Sequence, residues 1–230
     1  DGNQHSISGL TINRSSESKT GLFSKVNGGG TVRDVTVTDA KIIGDYDTGG
    51  LAGASDGTVR RVGVTNTYVE GDDYHTGGLI GTHDGGIVDQ SMADAEVKSR
   101  AGGEAAVLVG SNHAGAKIND SYALGSVSTS TTYDTSAIVG STSGGSYELT
   151  NVFAAAEINS PSDDGLTGDS VTLNGAGYWD VDVSGKSSSE AGTGLNTGDM
   201  QGSSATTNMP ELDYGSTWQT TSGYPELSWE

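Results

Sequence analysis

The chain has no cysteine, and its 230 residues include only three prolines, two phenylalanines and three tryptophans. Without cysteine there is no disulfide framework and no thiolate for catalysis or zinc, and the redox state of the compartment cannot be read. Hydrophobic residues make up only 32%, which excludes one broad core of large side chains. Cations are scarce as well: 11 Lys and Arg stand against 30 Asp and Glu, a formal net charge of −19. Neutralising a phosphate backbone needs clustered Lys and Arg, so nucleic acid is excluded as a partner. No stretch is apolar and long enough to span a bilayer, so direct membrane insertion is not expected. The chain opens on Asp1-Gly2-Asn3 with neither Met nor a signal segment and reads as a processed or excised piece, which leaves its destination open.

Glycine, by contrast, is abundant, at 37 residues, and much of it is periodic. A short apolar triplet recurs as Gly21-Leu22-Phe23-Ser24, Gly50-Leu51-Ala52-Gly53, Gly78-Leu79-Ile80-Gly81, Val107-Leu108-Val109-Gly110 and Ala137-Ile138-Val139-Gly140. The central residues Leu22, Leu51, Leu79, Leu108 and Ile138 are 29, 28, 29 and 30 residues apart. A fixed period of this size marks a stacked array, each copy burying its apolar face against its neighbours. A disordered chain, which the low hydrophobicity alone would suggest, has no reason to hold triplets in register.

A second element recurs between the triplets. Thr31-Val32-Arg33-Asp34-Val35-Thr36-Val37 aligns with 58–64, and weaker copies lie at 87–93, 117–123 and 148–154. These alternate small or apolar with polar residues and read as strands with one buried face. A third apolar stop closes each unit at Ile42, Val69, Val97, Val127 and Ile158. One repeat is therefore three short strands joined by Gly, Asp, Asn and Ser corners, where positive φ or side-chain-to-backbone bonds make the bend. Three strands in about 29 residues are too few for a propeller blade. The expected fold is all-β: a parallel β-helix of about five coils, stacked to roughly 25 Å. Residues 1–160 form the solenoid, with 1–12 the tail of a preceding coil. Residues 161–230, which hold Trp179, Trp218 and Trp229, form a linker and a C-terminal cap over the open end.

The Gly-Leu-x-Gly triplets, the intervening Gly-Thr-Val-Arg-Asp-Val strands and the opening Asp1–Leu10 together resemble GLUG-repeat proteins. The tail adds Tyr178-Trp179-Asp180-Val181-Asp182-Val183-Ser184-Gly185, Gly192–Met200 and Gly223–Leu227, similar to the segment that follows the last such repeat. The resemblance covers essentially the whole chain. It implies a right-handed β-helix in a secreted or surface-anchored, adhesin-like protein, and it carries over no catalytic residues. With this acidity the chain looks similar to versions from salt-loving archaea.

Several constellations bear on binding. Tyr46, Tyr74 and Tyr133 each lie five residues before a central Leu or Ile, with Gly103 in the copy between. They read either as a platform for sugar rings or as a stack that stabilises a turn. Asp45, Asp47, Asp72 and Asp73, with Asp134 in the fifth copy, form either a ridge for Ca²⁺, the one cofactor considered, or a solvated acidic face. Arg33, Arg60 and Arg61 are the nearest approach to a basic cluster, and surface ion pairing accounts for them. His83 and His113 fall four and five residues after the central Leu in consecutive coils and read either as a pair close enough for a transition metal or, the commoner case, as turn histidines. Thr48, Thr76 and Thr135 align, with a gap at Ala105 too disruptive for an ice-binding ladder. Asp180 and Asp182 read as a capping turn. Asn13 and Asn119 begin glycosylation acceptor patterns.

The sequence thus points to a non-enzymatic, extracellular module of a larger cell-surface protein, structural or adhesive in role. Its expected partners are other surface proteins, glycans or copies of itself. The alternative is a polysaccharide-binding or polysaccharide-degrading β-helix that uses the Tyr and Asp face.

Overall fold

In the computed structural model, which describes residues 1–113, 115–130, 133–144, 147–161 and 164–230, the chain winds into a parallel β-solenoid. Sheets of 14, 5 and 4 strands run along it, and every strand pairing within them is parallel. The aligned sequence copies are in register: Thr31 pairs Thr58, Val32 pairs Val59, and Arg33 pairs Arg60. The apolar stops form one ladder, Ile12–Ile42–Val69–Val97–Val127–Ile158, whose first rung belongs to the expected tail of a preceding coil.

The triplets build the interior. Leu51, Leu79, Leu108 and Ile138 are fully buried, whereas Leu22 at the head of the ladder is only partly covered. Backbone packing explains why the second glycine of the triplet persists. A Cβ on Gly53, Gly81 or Gly110 would sit 2.3 Å from Lys19, 2.5 Å from Asp47 or 2.7 Å from Thr76 backbone atoms of the coil before. Real Cβ atoms do not approach so closely, so the coil rise itself demands glycine here. Ser24, the exception, is exposed.

Within the long sheet each coil turns a corner on one left-handed residue: Asp34, Arg61, Gln90, Asp120 and Asn151, with φ between 43° and 56°. Asp and Asn tolerate this region better than most side chains. Ser91 and Ser121 brace the corner, their hydroxyls accepting from Val62 N and Ser91 N and donating to Asp89 O and Asn119 O.

Two features depart from the sequence expectation. First, the stacking continues past Pro161. Gly165-Leu166-Thr167-Gly168 adds a sixth triplet turn: Ile138 N donates to Leu166 O, Thr167 bridges Val139, and Leu166 is fully buried. Parallel strands at Thr172–Leu173, Gly177–Asp180 and Thr193–Leu195 extend the long sheet beyond it. The core at this end closes on Trp179, which presses on Gly165. Second, residues beyond 196 do not cover the open end but run back along the flank. Met92, Tyr122, Phe153 and Tyr178 point outward on neighbouring strands and form a second core with Met200, Ala205, Met209, Leu212, Trp218 and Leu227. Tyr122 and Phe153 stack at 4.9 Å, and Trp218 tilts onto both. The tail is pinned back to the third triplet coil, where Trp229 Nε1 donates to Gln90 O at 2.8 Å, and the Tyr122 hydroxyl donates to the Glu230 carboxylate. Between the strands Gly177–Asp180 and Thr193–Leu195 lies the short helix Val181–Ser184, which Asp180 caps by accepting from Asp182 N and Val183 N.

Candidate functional site

The corner before each triplet gathers most of the candidate residues. Tyr46 and Tyr74 stack as aligned neighbours, with ring centroids 4.9 Å apart and an interplanar angle of 18°. Both are exposed, as is Tyr133. The charge of Asp73 above all, then partial burial and the nearby Asp45, pushes the Tyr46 phenol above its ordinary value.

The four aspartates do not converge. Asp47 turns to His75 Nδ1 at 3.0 Å and accepts from the Thr82 hydroxyl at 2.6 Å. Burial raises the Asp47 carboxyl, but hydrogen bonds from His75 and Thr82, with the charges of His75 and Lys19, leave it below its usual range. Asp72 faces Arg100, and Asp73 accepts from Tyr74 N. Among the described residues no group of three or more His, Asp or Glu side chains is arranged to hold a metal ion. Partners within the fold hold three of the four carboxylates of Asp45, Asp47, Asp72 and Asp73, which the sequence offered as a Ca²⁺ ridge or a solvated acidic face.

His83 and His113 do not pair with one another. His83 is fully buried, on the opposite face of its strand from Thr82, and pairs in register with Asn112 rather than His113. Its Nδ1 lies 2.9 Å from Asn112 Oδ1, and its Nε2 has no hydrogen-bond partner among the described residues. Burial pushes this imidazole down to about 4. His113 faces outward, 3.0 Å from Asp84, and its ring lies edge-on to His75, 6.0 Å away. The residues sequence reasoning missed are His75, Thr82 and Glu104. Because Thr76 pairs with Thr48 and Ala105, His75 falls between Asp47 and Glu104, whose carboxylate is 3.7 Å from its Nε2. The spacing contained that alignment, but an isolated His in a turn does not announce it.

The remaining candidates are accounted for by the scaffold. Arg33 pairs with Asp1, Arg60 with Asp89, and Arg61 makes a forked bond to Asp34. That fork holds the Asp34 carboxyl below its ordinary value. Thr48, Thr76 and Thr135 are buried inside the solenoid, so no threonine ladder faces solvent there. Asn13 is exposed, whereas Ser121 of the Asn119 pattern is fully buried at the serine corner.

Fold and site together define a parallel β-solenoid with an acidic exterior and a clasped flank. No protein-family profile matches the chain. It is similar to part of Halomucin from Haloquadratum walsbyi, 33% identical over 237 residues that cover 98% of this chain and 3% of that protein. The chain thus spans about 3% of the length of that relative. In structure it resembles a candidate immunoglobulin A1 protease from Bacteroides ovatus, with a TM-score of 0.70 and 15% identity, covering 100% of this chain and 76% of that one. At that identity the likeness extends to the fold alone.

Proposed function

We propose that this chain is a non-catalytic structural module of a larger cell-surface protein that works in high salt. In this reading the solenoid supplies length and presents a hydrated, negatively charged exterior to other surface proteins, glycans or further copies of itself. The observation that carries the reading is the excess of 30 acidic over 11 basic residues on a narrow, small-residue core. Such a surface is soluble and self-repelling, and it is tolerable where concentrated salt screens it. The similarity to a segment of Halomucin supports both the setting and the module's place in a longer chain. The GLUG-repeat assignment belongs to the same proposal and rests on the order of the motifs. Sugar binding on the Tyr46–Tyr74 pair is less favoured, because the two rings already use their facing surfaces on each other.

The direct test is incubation with neutral and acidic polysaccharides in molar KCl, followed by assays for reducing ends and unsaturated products. The proposal expects neither above a heat-inactivated control. Sustained, enzyme-dependent release of either product would show a polysaccharide-degrading enzyme instead.

A further inference from the structure

The outward face of the long sheet changes character where the clasp stops. On neighbouring strands Ser6 pairs Thr36, Thr36 pairs Gly63, Gly63 pairs Met92, and Met92 pairs Tyr122. Met92 and Tyr122 belong to the second core under the tail. Beyond Met92 the row drops to Gly63 and then to two hydroxyls. At this step lies a cavity of about 380 Å³, within the ~300–1,000 Å³ of small-ligand sites. Trp229 of the tail lines it, fixed by the bond from its Nε1 to Gln90 O at 2.8 Å.

The scaffold does not demand the glycine at the floor of this cavity. A Cβ on Gly53, Gly81 or Gly110 strikes the backbone of the coil before. One on Gly63 would instead meet the ends of side chains, Thr36 Cγ2 at 3.3 Å and Met92 Sδ at 3.5 Å. Nor is Gly63 among the residues with left-handed φ. A glycine inside a strand costs stability and often marks the close approach of a ligand or another backbone. No backbone atom is among the nearest contacts at Gly63, and its missing side chain deepens the cavity.

The polar groups lining the cavity are of two kinds. Gln4, Ser6, Thr36 and Thr65 bring neutral side chains that make no hydrogen bond among the described residues. The two carboxylates are already taken. Both oxygens of Asp34 accept from Arg61, and Glu230 accepts from the Tyr122 hydroxyl and from Leu227 N. An anion would meet two carboxylates here, and a cation would find both of them paired, so neither is favoured. Free hydroxyls and an amide beside an indole suit a neutral ligand that has apolar faces and many hydroxyls of its own.

We propose that this cavity binds one ring of a neutral sugar, seated over Gly63 beside Trp229 and hydrogen-bonded by Gln4, Ser6, Thr36 and Thr65. The proposal rests on the reading above only in taking glycans as partners, and it can fail while the structural role stands.

The test uses the whole chain in molar KCl, titrated separately with the methyl glycosides of glucose, galactose and mannose, and with methyl glucuronide as the charged counterpart. Saturation transfer from protein to ligand protons reports binding, and far-ultraviolet circular dichroism checks that each variant is folded. The cavity predicts saturable binding of at least one neutral glycoside with a Kd of about 1 mM, and clearly weaker binding of the glucuronide. Trp229→Ala should weaken that glycoside about tenfold, and Gly63→Val, which fills the floor with a strand-forming residue, should abolish its binding. Thr36→Val keeps the shape, removes one hydroxyl and should weaken binding roughly fivefold, so it tests the site even if the other two variants disturb the clasp or the sheet. No saturable binding of any neutral glycoside, glucuronide binding at least as tight, or an affinity unchanged in both Gly63→Val and Thr36→Val would overturn the proposal.

Discussion

His83 makes the solenoid acid-sensitive in a way that can be separated from its many carboxylates. The imidazole is fully buried beside Asn112, and burial lowers it from an ordinary 6.5 to about 4. An unfolded chain therefore binds a proton at His83 that the folded chain refuses between those two values. Where the unfolded state binds more protons, stability rises with pH, so it must fall as pH drops through this window. At ~1.4 kcal/mol per pH unit, the loss from pH 7 to pH 5 is about 2 kcal/mol, reaching roughly 3 kcal/mol when fully developed near pH 4. His83→Asn places a neutral amide in register with Asn112 and removes the proton-binding group. Urea unfolding of both proteins at constant KCl, followed by circular dichroism at several pH values, isolates the histidine because the carboxylates are common to both. The wild type should lose about 2 kcal/mol more than the variant between pH 7 and pH 5. Parallel pH profiles for the two proteins would refute the reasoning and place His83 in contact with water.

Other sites give sharper structural tests. Leu79→Ala, at a fully buried rung of the triplet ladder, should lower urea stability by about 3 kcal/mol, and Leu22→Ala by clearly less because Leu22 is only partly covered. Gly81→Ala drives a methyl to 2.5 Å from the Asp47 carbonyl carbon and should cost at least about 2 kcal/mol, while Gly198→Ala, with nothing within 4 Å, should change the midpoint little. Trp218→Ala removes the side chain that lies on Tyr122 and Phe153, so limited proteolysis should cut within 196–230 sooner while the solenoid strands keep their hydrogen-exchange protection.

The sequence made the scaffold legible because the backbone imposes residue choice at close range. Gly53, Gly81 and Gly110 are where one coil meets the next, so their spacing reports the coil directly. Arg33 beside Arg60, and Tyr46 on Tyr74, followed from the same count. The sixth turn was hidden because Pro161 and polar residues precede Gly165-Leu166-Thr167-Gly168, although that quartet carries the pattern itself. The clasp was harder to foresee. Met92, Tyr122 and Phe153 alternate with the interior Ala93, Ala123 and Ala154, and a strand apolar on both faces does not reveal which face is the core. A shift of one position also separates His83, inside, from His113, outside. Counting from the central leucine could not resolve a difference that small.

The account stands most directly on the salt dependence of folding. A net charge of −19 on a narrow core leaves strong repulsion between coils in dilute buffer, whereas at ~1 M salt the screening length shrinks to ~3 Å. Thermal unfolding followed by far-ultraviolet circular dichroism across a KCl series measures this. The account predicts one cooperative β-sheet transition in molar KCl whose midpoint falls steadily as salt is withdrawn, with folding lost in dilute buffer. A midpoint that is the same in dilute and molar KCl would contradict it.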